Sequence, residues 1–262
     1  MMDQLFKNKL DWGVQVSRGN ILNATVTHRY GLANVGTSFV PITDNLVYRT
    51  PQAGAATALR IKAGGNAADT AAGAGARSLR LTGMNADGDM VSETLATAGA
   101  SASAATSATF IRLFNAEVVD SGTYGTQSAG SHVGDIVIEN AAGGTDWATI
   151  PVNGFPVSNT SIGSYTIPRT YTGFIEGISI AVEGAKLVDI LMLSRSGVLQ
   201  TAAPYKPVKR VAEWIGVANT LVDTFTMPLA FEELTDVGLL GKVSNGTGNV
   251  TIQMDILLLK NE

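Results

Sequence analysis

Apolar and polar residues alternate with period two along most of the chain from Ser38 onward, the pattern of strands with one buried face. Leu59, Ile61 and Ala63 alternate with Arg60 and Lys62, and Leu79 and Leu81 with Arg80 and Thr82. Residues 91–95 predict a short strand. Residues 110–114 are apolar on both faces, which predicts a strand covered on both sides. Val133, Ile136, Val137 and Ile138 predict another, and Tyr165, Thr166 and Ile167 one that stops at Pro168. Phe174, Glu176, Ile178, Ile180 and Val182 share a predicted face, with Ile175, Gly177, Ser179 and Ala181 on the other. The continuous apolar run 187–193 is too short for a helix and fits a central strand. Residues 225–229 are strand-like but interrupted by Pro228. Val250, Ile252, Met254, Ile256 and Leu258 give the clearest alternation in the chain.

Turn chemistry separates these runs. Asn85-Ala86-Asp87-Gly88 predicts a hairpin loop with Gly88 at positive φ, and Ser244 to Asn249 predicts a second tight connection. The Ala/Gly/Ser/Thr-rich stretches 63–76 and 98–108 have no apolar stripe and predict loops or weak edges. Residues 140–145 have the composition of a linker. Glu232 and Glu233 suit a short helix over 228–235. The pattern therefore predicts an all-β chain of two tandem β-sandwich, jelly-roll-like units, 37–145 and 146–262. They follow an extended N-terminal arm, 1–36. Leu5, Phe6, Leu10 and Trp12 lie in that arm without helical period, and a solvated tail has no use for them. They are the predicted partner-contact residues.

Composition narrows the function. Of 262 residues only 15% are charged, well below the roughly 25% of an average soluble chain. Ala, Gly, Ser and Thr fill the difference, as suits a subunit packed against neighbours. The net charge of −4 argues against a general nucleic-acid binder. No Cys is present, which removes disulfides and thiolate metal sites and fits synthesis in a reducing cytoplasm. Two His cannot form a three-His zinc centre. No apolar run approaches the ~20 residues of a membrane span, and the polar start lacks a signal-peptide core.

Candidate chemistry is sparse. His28 and His132 sit in no nucleophile elbow and no zinc-binding helix motif, and read as ordinary strand-end or surface residues. Gly73-Ala74-Gly75-Ala76-Arg77 lacks the third glycine of a dinucleotide turn and runs into a strand. Asn85 to Asp89 lacks the closing Glu of a calcium loop. Glu176, Glu183, Asp189 and Asp135 lie on predicted strands and could serve a glycosidase only if two of them converge. Aromatics make up 6% of the chain, thin for a sugar-stacking cleft. Catalytic, cofactor and metal residues are therefore expected to be none.

Three segments resemble a pattern in virion structural proteins of tailed bacteriophages. The first runs from Asp69 through Gly73, Gly75 and Arg77 to Gly88. The second is Ser92-Glu93-Thr94-Leu95, and the third Phe110-Ile111-Arg112-Leu113. Tyr165-Thr166-Ile167-Pro168 and Asn249-Val250-Thr251-Ile252 extend the resemblance over roughly residues 55 to 262. It implies a non-enzymatic particle component located in the virion and made in the host bacterial cytoplasm. The implied role is a capsid cement or decoration protein, with a head–tail connector or tail component as the alternative. The implied partners are the major capsid protein or other virion subunits. By the same analogy the chain is a homo-oligomer, with a trimer as the expected state; the charge and the short apolar runs lead to the expectation of no nucleic-acid and no membrane partner. A sugar-binding module or glycosidase is the competing class.

Overall fold

The computed structural model describes residues 12–43, 56–123, 130–152, 157–184, 186–200 and 202–262. Among them the chain is almost entirely β. One short helix, α1 (Trp12–Ser17), precedes β1 (Ala24–Val35) and the two-residue β2 (Val40–Pro41). Seven strands follow: β3 (Thr57–Ile61), β4 (Ala76–Met84), β5 (Met90–Ala96), β6 (Thr109–Phe110), β7 (Arg112–Ser121), β8 (Ile136–Asn140) and β9 (Asp146–Ile150). The chain then forms β10 (Tyr165–Thr166), β11 (Tyr171–Val182), β12 (Val188–Ser196), β13 (Lys209–Val217), β14 (Thr220–Phe231), β15 (Thr235–Val243) and β16 (Gly248–Lys260).

The first and last groups build one unit. Its first sheet runs β1–β16–β11–β14, and its second β10–β15–β12–β13 with β2 also on β15. Counted with β2 and β10 as one interrupted strand, the eight strands are wired first–eighth–third–sixth and second–seventh–fourth–fifth. That is jelly-roll wiring. Both sheets contribute to one core, with Ile180, Ile252 and Ile256 from the first facing Ile190, Met192 and Val237 from the second. Each such fully buried side chain contributes roughly 1.5–3 kcal/mol.

The middle group forms the other unit, from sheets β6–β3–β8–β9 and β5–β4–β7. Its core holds Leu59, Leu79, Leu81, Ile138 and Trp147. The two units are thus not in tandem: the second interrupts a strand of the first. Pro41 faces Leu240, Tyr165 faces Val237 and Thr166 faces Asp236 across β15. Ile42 donates its N–H to the Leu239 carbonyl at 2.9 Å, and Ser164 packs beside Gly238. Ile42 and Ser164 therefore fill successive positions opposite β15, and residues 43–163 loop out between them. Two glycines make that crossing possible. A Cβ on Gly31 would lie 2.4 Å from the Ile42 oxygen, and the Gly163 Cα stands 2.8 Å from the same point.

Other expectations need correction. Residues 24–35, expected in the arm, form β1 and pair with β16 along their whole length. The inward positions are Arg29, Gly31, Ala33 and Val35, and the first three are too small or too polar to announce a buried face. Residues 140–145 are a tight hairpin between β8 and β9, with Gly143 and Gly144 at φ 80° and 87°, and not a linker between units. No helix forms at 228–235, because β14 continues through Pro228 to Phe231. There β14 opposes Ile175 with Leu229 and Gly177 with Thr224, so Pro228 falls in an irregular stretch of an edge strand that needs no ladder N–H from it. The same irregularity turns Ile175 inward beside Ile178 and leaves Glu176 outward, reversing the predicted faces at that point. The single strand expected at 110–114 breaks at Ile111, with Phe110 ending β6 and Arg112 opening β7 in another sheet, but both faces are covered as expected: Phe110 and Leu113 enter the inserted core, Ile111 and Phe114 the jelly-roll core.

Candidate assembly surface

The jelly roll ends on one flank in two open edges. Among the described residues β13 pairs only with β12, and β14 only with β11. A turn with Asn219 at φ 57° joins the two. Each turns a row of backbone N–H and C=O groups away from its sheet. Large apolar side chains stand exposed on both strands: Ile215 is 76% exposed, Val222 68% and Met227 79%. β14 carries one charged residue in its twelve, Asp223, whose carboxylate accepts a hydrogen bond from Trp214 Nε1 at 2.7 Å. Edges of this length are normally blunted by charge, a bulge or a covering element. Here the protection is concentrated on β13, with Lys209, Arg210 and Glu213 and two register shifts against β12, while β14 has only Pro228, one irregular stretch and Asp223.

Trp12, the one predicted contact residue inside the described range, opens α1 and is half exposed. Leu5, Phe6 and Leu10 lie outside the described residues. Trp12 and Val16 overhang a hollow of about 620 Å³ whose floor includes Val26, His28, Glu176 and Leu257 of the first sheet. A second hollow continues it past His28 and Glu176 to Val222 and Asp223, so the ground under α1 leads to the open flank.

The histidines build no relay. His28 Nδ1 lies 2.6 Å from Asp255 Oδ1 as a cross-strand pair, with both side chains more than half in solvent, where such pairs contribute little. His132 is buried beside Ser131, 2.8 Å from its hydroxyl. The carboxylates weighed for glycoside chemistry are dispersed. Glu176 is on β11 and Glu183 just past its end. Asp189 is on β12, accepting from the Gly216 N–H, and Asp135 precedes β8, accepting from the Val152 N–H. Trp147, the tryptophan nearest the expected linker, is buried in the inserted core. No group of three or more His, Asp or Glu able to hold a metal occurs among the described residues.

The glycine-rich motif holds a loop. Asp69 is 4% exposed, and its carboxylate accepts hydrogen bonds from the backbone N–H groups of Ala76, Val133 and Gly134 at 2.9 to 3.1 Å. A Cβ on Gly75 would lie 2.0 Å from Asp69 Oδ1, so only glycine lets the strand enter there. Asn85 likewise accepts from the N–H groups of Asp87 and Asp89 and fixes the predicted hairpin, with Gly88 at φ 85°.

Sequence reasoning missed β13, β15 and the open flank. The signal lay in neighbouring apolar pairs, Trp214-Ile215 and Leu221-Val222. In a strand one member of each pair must face outward.

The fold and this surface define a two-unit all-β protein with a flank whose edge strands have no further strand partner among the described residues. No protein family and no curated protein matches the chain. Among solved structures it is similar to that of the infectious bursal disease virus Gx strain, at 9% identity over 92% of this chain and 77% of the other, with a TM-score of 0.23. It is also similar to the VP2 subviral particle of infectious bursal disease virus, at 7% identity over 96% and 82% of the two chains, with a TM-score of 0.21. At these scores the likenesses carry no argument.

Proposed function

We propose that the chain is a structural component of a virus particle, of the cement or decoration type, that works by adding buried contact area between shell subunits. The open β13–β14 flank carries this reading. A neighbouring subunit can extend either sheet by strand addition and cover Ile215, Val222 and Met227 in the same step. The low charge of the chain and the phage-like motifs in its inserted unit support the same reading. Each contact can be modest, because many copies act together on a lattice. The partners are then the major capsid protein or further copies of this chain.

The test is a particle assembled with Val222→Lys or Met227→Lys protein. Both positions are exposed, so the variants are expected to fold normally and to fail to incorporate. Normal incorporation of both variants removes the reading. Copy number separates shell from connector: on the order of a hundred or more copies per particle for cement, about a dozen for a connector ring.

A further inference from the structure

The outer face of the second sheet holds a buried cation for which assembly through the β13–β14 flank gives no use. Arg195, near the end of β12, is 5% exposed, and its Nε and Nη2 have no hydrogen-bond partner among the described residues. These two nitrogens form one edge of the guanidinium plane, the edge that grips a carboxylate side-on through two parallel N–H···O bonds.

Arg112 displays that grip on the residue directly opposite Arg195 in the sheet. Asp236 faces Arg195 across β12 and β15. Its Oδ1 and Oδ2 accept from Arg112 Nε at 3.2 Å and Nη2 at 2.8 Å, and Thr166 Oγ1 donates to Oδ1 at 2.6 Å. Asp236 is thus engaged by Arg112 and Thr166. Two buried guanidinium groups stand beside one buried carboxylate, which leaves a net positive charge. Tyr205 lies under one face of Arg195, with its ring centroid 5.6 Å from Cζ. A ring face satisfies no in-plane N–H. A buried cation with an unpaired donor edge is costly unless an anion completes it.

A pocket of about 150 Å³ lies at that position, walled by Leu193, Val208 and Leu240 with Ser164 and Ser194 beside Arg195. It is well below the roughly 300–1,000 Å³ of a site for a drug-sized ligand. We propose that this pocket binds a carboxylate on a short aliphatic stem. Nε and Nη2 are sealed from solvent, so the Arg195 guanidinium turns toward the pocket to take the carboxylate side-on, and the stem lies against Leu193, Val208 and Leu240. One net positive charge and apolar walls favour a monoanion with a greasy stem over phosphate. The carboxylate comes from a free small acid or from an acidic side chain of a neighbouring copy. The inference stands independently of the proposed virion role.

The experiment titrates the full chain with butyrate, acetate and phosphate while following the Nε–H resonance of Arg195 by NMR. Sedimentation is run in parallel with and without butyrate. Saturable binding of butyrate, tighter than acetate or phosphate, is expected. Arg195→Lys keeps the charge and loses the fork, and is expected to weaken binding about tenfold or more. Val208→Glu alters a half-exposed wall residue, so it keeps the fold, and its tethered carboxylate is expected to block butyrate. Saturation with unchanged sedimentation assigns the site to a free acid. Saturation that shifts sedimentation toward smaller species assigns it to a neighbouring copy. No saturable shift with butyrate, or equal binding by the Arg195→Lys and Val208→Glu proteins, overturns the proposal.

Discussion

Arg112 and Asp236 form a two-point ion pair across the two units, with Arg112 on the first residue of β7 in the inserted unit and Asp236 on β15 of the jelly roll. Their side chains are 2% and 5% exposed. Burying both charges cancels much of their attraction, so the pair as a whole adds little net stability, but removing one partner strands the other. Arg112→Ala or Asp236→Asn is expected to cost about 3–5 kcal/mol by denaturant unfolding. The double variant Arg112→Met with Asp236→Leu is expected to recover much of that loss. A double variant no better than the worse single one shows that the pair is not the coupling between them.

Asp69 does by one carboxylate what a ladder does elsewhere. It gathers three backbone N–H groups from two separate segments, and each hydrogen bond to a charged acceptor contributes about 1.5–3 kcal/mol. Asp69→Ala is expected to cost about 3 kcal/mol or more and to release the amides of Ala76, Val133 and Gly134 first in hydrogen exchange. Gly75→Ala is expected to act on the same loop by collision with Asp69. Unchanged protection of those three amides counts against this role.

Tyr165 gives the fold an alkaline limit. Its ring packs on Phe114 at a centroid distance of 4.7 Å, with the Arg29 guanidinium 5.5 Å above it. Burial raises its pKa from 10.0 to about 12, against the lowering effect of Arg29. The folded state therefore holds the phenol proton to higher pH than the unfolded chain does. The stability tied to this proton is fully present below pH 10 and falls between pH 10 and 12, by about 3 kcal/mol in all. Tyr165→Phe is expected to flatten that part of the stability profile. An unaltered slope in the variant assigns the alkaline loss to other groups.

The strands with large aliphatic residues were legible in the sequence, and so was the hairpin at Asn85. Val250 to Leu258 reads as a strand because its inward positions are all Val, Ile, Met or Leu. β1 does not, because Gly31 and Arg29 occupy inward positions for reasons set far away in the chain: a crossing backbone in one case, the Phe114 and Ile162 carbonyls in the other. The order of the units was hidden for the same kind of reason. β2 and β10 are two residues each, and only their common partner β15 shows that they are one strand. Of the predicted contact residues, Trp12 reaches the surface near the open flank. The exposure of Ile215, Val222 and Met227 depends on which strands stay at the sheet edges, which periodicity does not encode.

The interrupted strand makes a direct prediction. Ile42 and Ser164 occupy successive positions opposite Leu239 and Gly238, so joining them deletes residues 43–163 without shifting the register of the second sheet. The deletion removes Arg112 and leaves Asp236 facing Arg195 across the sheet, one cation beside one carboxylate, so Asp236 is kept. It also removes Met84, Ile111 and Phe114, which pack against the jelly-roll core. The joined chain keeps both of its sheets, and is expected to show β-type circular dichroism and a single cooperative unfolding transition at a lower midpoint than the full chain. Tyr165 loses its Phe114 cover, and its titration is expected to fall back from about 12 toward 10.0. A collapsed chain without cooperative unfolding shows instead that the inserted unit supplies part of the jelly roll's own core, and that the two cores are one folding unit.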